Sequence, residues 1–146
     1  MTKKRLPQRL SALIELAVRD AQAVEQDPRY TLNMSQWHTP APGACLVCMA
    51  GAVMAKTMGA PRNAHREPER YSPETRWALC AINDVRIGDV FGAIASGKYP
   101  LRLSKAKTAA ATRAKGIIDE KLDPERGRAP WDTYLEAAKV LRKVGL

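Results

Sequence analysis

At 146 residues the chain can bury about two thirds of its unfolded surface in one domain, with no disulfide or metal to staple it. Its apolar content is 45% but includes only three tryptophans, four tyrosines and one phenylalanine, so alanine carries much of the interior and close helix contacts are favoured over sheets. The net charge of +9 favours polyanionic partners, and no uncharged apolar run approaches the ~18 residues of a membrane helix, which excludes a spanning segment of that kind.

The first helix is predicted from Leu6 or Pro7 to the residues before Pro28. Leu6, Leu10, Leu13, Ile14, Ala17, Ala21 and Val24 recur at three- and four-residue steps, and Asp27-Pro28 ends the run. The stretch from Arg29 to Gly43 alternates loosely through Tyr30, Leu32 and Met34, which predicts a short strand or extended arm before the turn Thr39-Pro40-Ala41-Pro42-Gly43. A second helix is expected from Ala44 to Met58. It is apolar on nearly every side until Lys56, which makes it central, and Gly59 and Pro61 end it.

Residues 62–71, RNAHREPERY, read as a polar surface loop. Ser72-Pro73 then opens a third helix, the hydroxyl capping free amides and the proline standing where no amide partner is needed. Trp77, Cys80, Ala81, Ile82 and Val85 continue it, and Gly88 breaks it before a short helix capped by Asp89 that runs through Ala95 to Gly97. That short helix has no lysine or arginine to meet DNA, so the pair is not read as a helix-turn-helix. The run Ser104 to Lys121 is rich in helix formers but has a weak apolar face, and an exposed, mobile helix is expected. A linker over Asp123 to Pro130 precedes a last amphipathic helix with Trp131, Tyr134, Leu135, Ala138, Leu141 and Val144 on one side.

Together these elements predict a mainly all-α protein: a compact single-domain bundle of five to six helices over residues 1–146, with a short extended arm, a basic N-terminus and a basic, mobile segment at 98–130. Leu13, Ile14, Val53, Met54, Trp77, Ile82, Phe91 and Leu135 are placed in the core. Three cysteines do not make a disulfide framework, and Glu15, Arg19 and Asp20 interrupt the apolar run that a signal peptide requires, so a cytoplasmic protein with reduced thiols is expected.

Cys45 and Cys48 form the one spacing where chemistry competes with packing. Zinc would need four ligands, drawn from Cys45, Cys48, His38 or His65, and Cys80, but the second short-spaced ligand pair is missing, so no metal and no cofactor is expected. A redox pair would profit from a helix N-terminus yet lacks the βαβ surroundings. A nucleophile at Cys45 would take His38 or His65 as base and Asn33, Asn63 or Asn83 as orienter. The bland reading is that these thiols, Cys48 and Cys80 above all, are small buried apolar groups. No phosphate-binding glycine loop, dinucleotide fingerprint, metalloprotease or calcium-loop motif is present.

The motif W-H-x6-C-x-V-C-M-A-G-A-V-M-A from Trp37 to Ala55, followed by the run Leu79 to Val90, resembles small uncharacterised proteins encoded by bacteriophages and prophages. The likeness covers about a third of the chain and brings no catalytic residue with it. It implies a protein that works in the host cytoplasm by binding and blocking a host component such as restriction, CRISPR or transcription machinery. The expected function is therefore that of a noncatalytic accessory protein that binds a host or phage protein, as a monomer or homodimer. The contact surface is read at Tyr99, Arg102, Lys105, Lys107, Arg113 and Lys115, because six basic residues and no acid lie between Val90 and Ile118. Direct nucleic-acid binding through the same residues and through Lys3, Lys4, Arg5 and Arg9 is the alternative.

Overall fold

The computed structural model describes residues 6–85 and 104–146. Phe91, Tyr99, Arg102, the short helix expected from Asp89 to Ala95 with its Gly97 stop, and the basic residues Lys3, Lys4 and Arg5 lie outside the described residues. The chain is mainly helical, but it is not all-α: the described residues form five α-helices, one 3-10 turn and a three-stranded sheet. It divides into two compact units, one of which contains Leu16–Asn83 and the other Pro7–Glu15 and the residues that follow position 83.

Helix α1, Leu10–Glu25, begins four residues later than the earliest start expected from sequence, with Leu13 N–H bonded to the Arg9 carbonyl. Leu10, Leu13, Ile14, Ala17, Val18, Ala21 and Val24 are buried, the stripe that the periodicity predicts. Past its end, the Asp27 carboxylate accepts from the Arg29 amide and guanidinium and from Lys56 Nζ at 2.7 Å. Those hydrogen bonds, Arg29 first, hold the Asp27 carboxyl far below the usual carboxylate range.

In the first unit, β1 (Tyr30–Leu32) pairs parallel with β3 (Cys45–Val47), and β2 (His38–Thr39) pairs antiparallel with the other edge of β3. The arm expected over 29–43 thus exists as two short strands. The helix expected to start at Ala44 does not. Cys45, Leu46 and Val47 are extended because β1 and β2 satisfy their backbone from both sides, and Cys45 and Val47 turn inward. Helix α2, Met49–Lys56, begins only after Cys48, an extended N-cap whose sulfur accepts the Gly51 amide at 3.4 Å.

Helix α2 is central, as its all-round apolarity implies, and every residue from Met49 to Met54 is buried. Gly51 is the point of closest approach: a Cβ built there would stand 1.6 Å from the Trp37 carbonyl oxygen. Gly59, at a φ of +70°, takes the left-handed turn after the helix. Asp20, buried on α1, accepts from the Thr57 hydroxyl at the end of α2, and burial pulls its carboxyl up from the ordinary value.

The segment after α2 is tied to β2, with Arg66 N–H donating to the His38 carbonyl at 2.9 Å, and it passes through a 3-10 turn at Pro68–Arg70. Helix α3, Pro73–Val85, starts where Ser72-Pro73 predicts, with the Thr75 amide reaching the Ser72 hydroxyl. Its buried residues are Ala78, Leu79, Ala81, Ile82 and Val85. Two expectations fail here, since Trp77 is 38% exposed and Cys80 is half-buried: both sit on the flanks of the stripe formed by 78, 82 and 85.

In the second unit, α4 (Lys105–Lys121) packs on α5 (Trp131–Arg142). Ser104 caps α4, and Ala110, Ala111, Ala114 and Ile118 form its buried side, so the helix expected to be exposed, with a weak apolar face, has a packed face made mostly of methyl groups. Thr133, Tyr134, Ala137, Ala138 and Leu141 face inward on α5, whereas Leu135, expected in the core, is half-buried beside that stripe. The expected linker is a closed turn: Asp123 N–H meets the Arg128 carbonyl, Ala129 N–H donates to Tyr134 Oη at 2.9 Å, and the Arg128 guanidinium lies 3.7 Å from the Trp131 ring centroid. Ser11 N–H donates to the Leu146 carbonyl, and Arg142 pairs with Glu15.

Two glycine substitutions separate packing from propensity. Gly51→Ala must push α2 away from Trp37 and is expected to cost at least about 3 kcal/mol in urea unfolding, or to prevent folding. Gly116→Ala, where nothing lies within 4 Å of the added carbon, is expected to stabilise by about 0.5–1 kcal/mol through helix propensity alone.

Candidate functional site

Of the residue types that do chemistry, the fold brings Cys45 and His38 together. They lie on adjacent strands, β3 and β2, and both side chains point to the buried side of the sheet: His38 is 0% and Cys45 4% exposed. The imidazole is positioned by His38 Nδ1, 2.8 Å from the Ala64 carbonyl oxygen. A carbonyl only accepts, so Nδ1 carries the proton and Nε2 the lone pair.

The sulfur of Cys45 lies 3.8 Å from Nδ1 and 3.9 Å from Nε2. The lone pair of one ring nitrogen points away from the other, so a thiol hydrogen-bonded to Nε2 would stand much closer to it than to Nδ1. Near-equal distances place Cys45 off the in-plane direction of both nitrogens. The pair therefore lacks the alignment by which a base takes a proton from a nucleophile. Electrostatics point the same way. Burial lowers the His38 pKa and raises that of Cys45, with Arg62 pulling the thiol only partly back, so the neutral thiol and neutral imidazole are favoured over the ion pair that activates a cysteine.

Cys48 has a different task. Besides accepting the Gly51 amide, its sulfur lies 3.9 Å from the Trp37 carbonyl oxygen, so it closes the start of α2. Cys80 lies on α3, and no group of three or more histidine, cysteine, aspartate or glutamate side chains suited to a metal ion occurs among the described residues. Of the ligands considered for zinc, then, His38 and Cys45 meet, while Cys48 is engaged by backbone. His65 is exposed and faces Thr39 and Glu67. Asn33 closes a turn on Ser35, Asn83 is half-buried on α3, and Asn63 stands beside Cys45.

At Cys45 the surface opens into a depression of about 260 Å³, lined also by Pro40, Ala41, Gly43, Ala44, Arg62 and Asn63. Sequence reasoning missed it. Arg62 reads as an ordinary surface-loop residue and Asn63 as one of three candidate orienters, and what carries both to Cys45 is the backbone pairing of His38 with Arg66, for which side-chain pattern gives no signal.

The basic residues of α4 do not form one stripe. Lys105 and Arg113 are exposed on the side away from the alanines, Lys107 is half-buried in step with Ala110, Ala111 and Ala114, and Lys115 pairs with Asp119. Among the described residues no helix is long and apolar enough to cross a membrane. Comparison with family models, with curated proteins and with solved structures finds no match to the chain.

Two outcomes check these assignments. Cys48→Ala should cost about 1 kcal/mol in chemical denaturation through loss of the cap, whereas Cys48→Ser, which keeps an acceptor for Gly51 N–H, should recover most of it. The stability contributed by neutral His38 is full above the ordinary imidazole value and falls as pH drops below about 6.5, because the unfolded chain takes a proton there and the folded chain does not. Unfolding free energy measured from neutral to acid pH should therefore fall more steeply for the wild type than for His38→Gln, by up to about 1.4 kcal/mol per pH unit in that window.

Proposed function

We propose that this chain is a noncatalytic accessory protein of bacteriophage type that works in the host cytoplasm by binding, and thereby modulating or inhibiting, a host protein or nucleoprotein complex. The observation that carries this reading is the state of the Cys45–His38 pair: the residues best suited to catalysis are buried, neutral and out of line with each other. A protein with such a centre acts through its surface. In the second unit that surface includes Lys105 and Arg113 on the outer side of α4, neither of which is paired with a carboxylate among the described residues. They are the described part of the contact surface, with Lys115 beside them and Lys107 contributing from its half-buried position.

The same unpaired cations and the +9 net charge favour direct phosphate contact as the second reading. Affinity capture from host cells on the full chain, with and without nuclease, separates the two. The primary reading predicts a stoichiometric protein partner that survives nuclease and is lost when Lys105→Glu and Arg113→Glu are combined. Capture of nucleic acid alone, released steeply by salt, would replace it with the second reading. A partner held equally by the charge-reversed protein would remove α4 from the contact surface.

A further inference from the structure

The depression beside Cys45 has the donor set of an oxyanion site. Its single charged group is the Arg62 guanidinium, which forms no ion pair or hydrogen bond with any described residue, and no carboxylate lines the space. The Asn63 side-chain amide is likewise unengaged, and the backbone N–H groups of Gly43 and Ala44, which follow the Pro40 to Pro42 turn, meet no protein acceptor among the described residues. Arg62, Asn63, Gly43 and Ala44 all line this one space, so a guanidinium fork, a carboxamide and main-chain amides supply donors and one positive charge there, the chemistry that complements a tetrahedral oxyanion. The volume, about 260 Å³, exceeds what a lone phosphate fills, and the Pro40 and Ala41 wall is apolar.

We infer that this depression binds a phosphate ester: the phosphoryl oxygens on Arg62, Asn63 and the Gly43 and Ala44 amides, and the carbon skeleton of the ester against Pro40 and Ala41. Arg62 supplies the charge, and its pull on the neighbouring Cys45 thiol places its field at this spot. Cys45 forms part of the wall and takes no part in chemistry. The site is independent of the α4 surface, so it stands or falls separately from the partner reading. Its ligand has two sources of the same chemistry, a free sugar or nucleoside monophosphate and the phosphodiester of a nucleic-acid strand.

The test is a titration of the 15N-labelled full chain, at constant ionic strength, with inorganic phosphate, with ribose 5-phosphate and with an oligothymidylate lacking terminal phosphates. The amides of Gly43, Ala44 and Asn63 are expected to shift together and saturate. Ribose 5-phosphate should bind more tightly than inorganic phosphate, and its comparison with the oligothymidylate identifies the source. Arg62→Gln should weaken binding about tenfold or more, and Arg62→Lys by less. Arg62 is exposed, so both variants should keep the wild-type spectrum elsewhere. No saturable shift at these three amides with any of the probes, or equal affinity in Arg62→Gln, would overturn the proposal.

Discussion

The contact on which the first unit depends is the approach of α2 to the Trp37 carbonyl. Only a residue without a side chain fits at Gly51, and the same carbonyl receives the Cys48 amide and stands beside the Cys48 sulfur. One oxygen thus joins the entrance of β2 to the start of the central helix. His38, the next residue, is thereby set into the interior opposite Val47, and its two ends hold the loop that follows α2: the carbonyl by Arg66 N–H, the ring by the Ala64 carbonyl. The position of Arg62 and Asn63 beside Cys45 follows from those two bonds.

Burial then decides what Cys45 and His38 can do. In water the two groups could exchange a proton to form a thiolate and an imidazolium, but removing both charges from solvent costs more than Arg62 returns. The same desolvation acts at the far end of α2, where buried Asp20 is pushed toward its neutral form. Asp27, held by Arg29 and Lys56, keeps its charge. Two carboxylates on one stretch of chain respond oppositely because burial dominates at Asp20, where the Thr57 hydroxyl and Arg19 offset it only in part, whereas Asp27 is bonded directly by Arg29 and Lys56.

Elements with strong local signals were legible in the sequence. The α1 stripe, the Ser72-Pro73 start and the Gly59 turn each follow from periodicity or backbone chemistry that no distant contact overrides. The run Gly43 to Gly51 was not, because three residues are too few for a strand period to show, and Cys-Leu-Val-Cys followed by small residues looks like the helix it precedes. Trp77 misled through its size. The packed face of α4 was missed for the opposite reason: alanines contribute little hydropathy, yet they let two helices approach closely. The Cys45 and His38 pairing was among the expected combinations, but its misalignment is set by the register of β2 on β3, which residue spacing does not encode.

The measurement that tests this account most directly is the 15N NMR of the His38 ring as pH is lowered. A neutral ring protonated at Nδ1, persisting below about pH 6.5 where an exposed imidazole would be half charged, is the predicted result. An imidazolium at neutral pH accompanied by a Cys45 thiolate would contradict it, and would make the pair a reactive centre instead of part of the core.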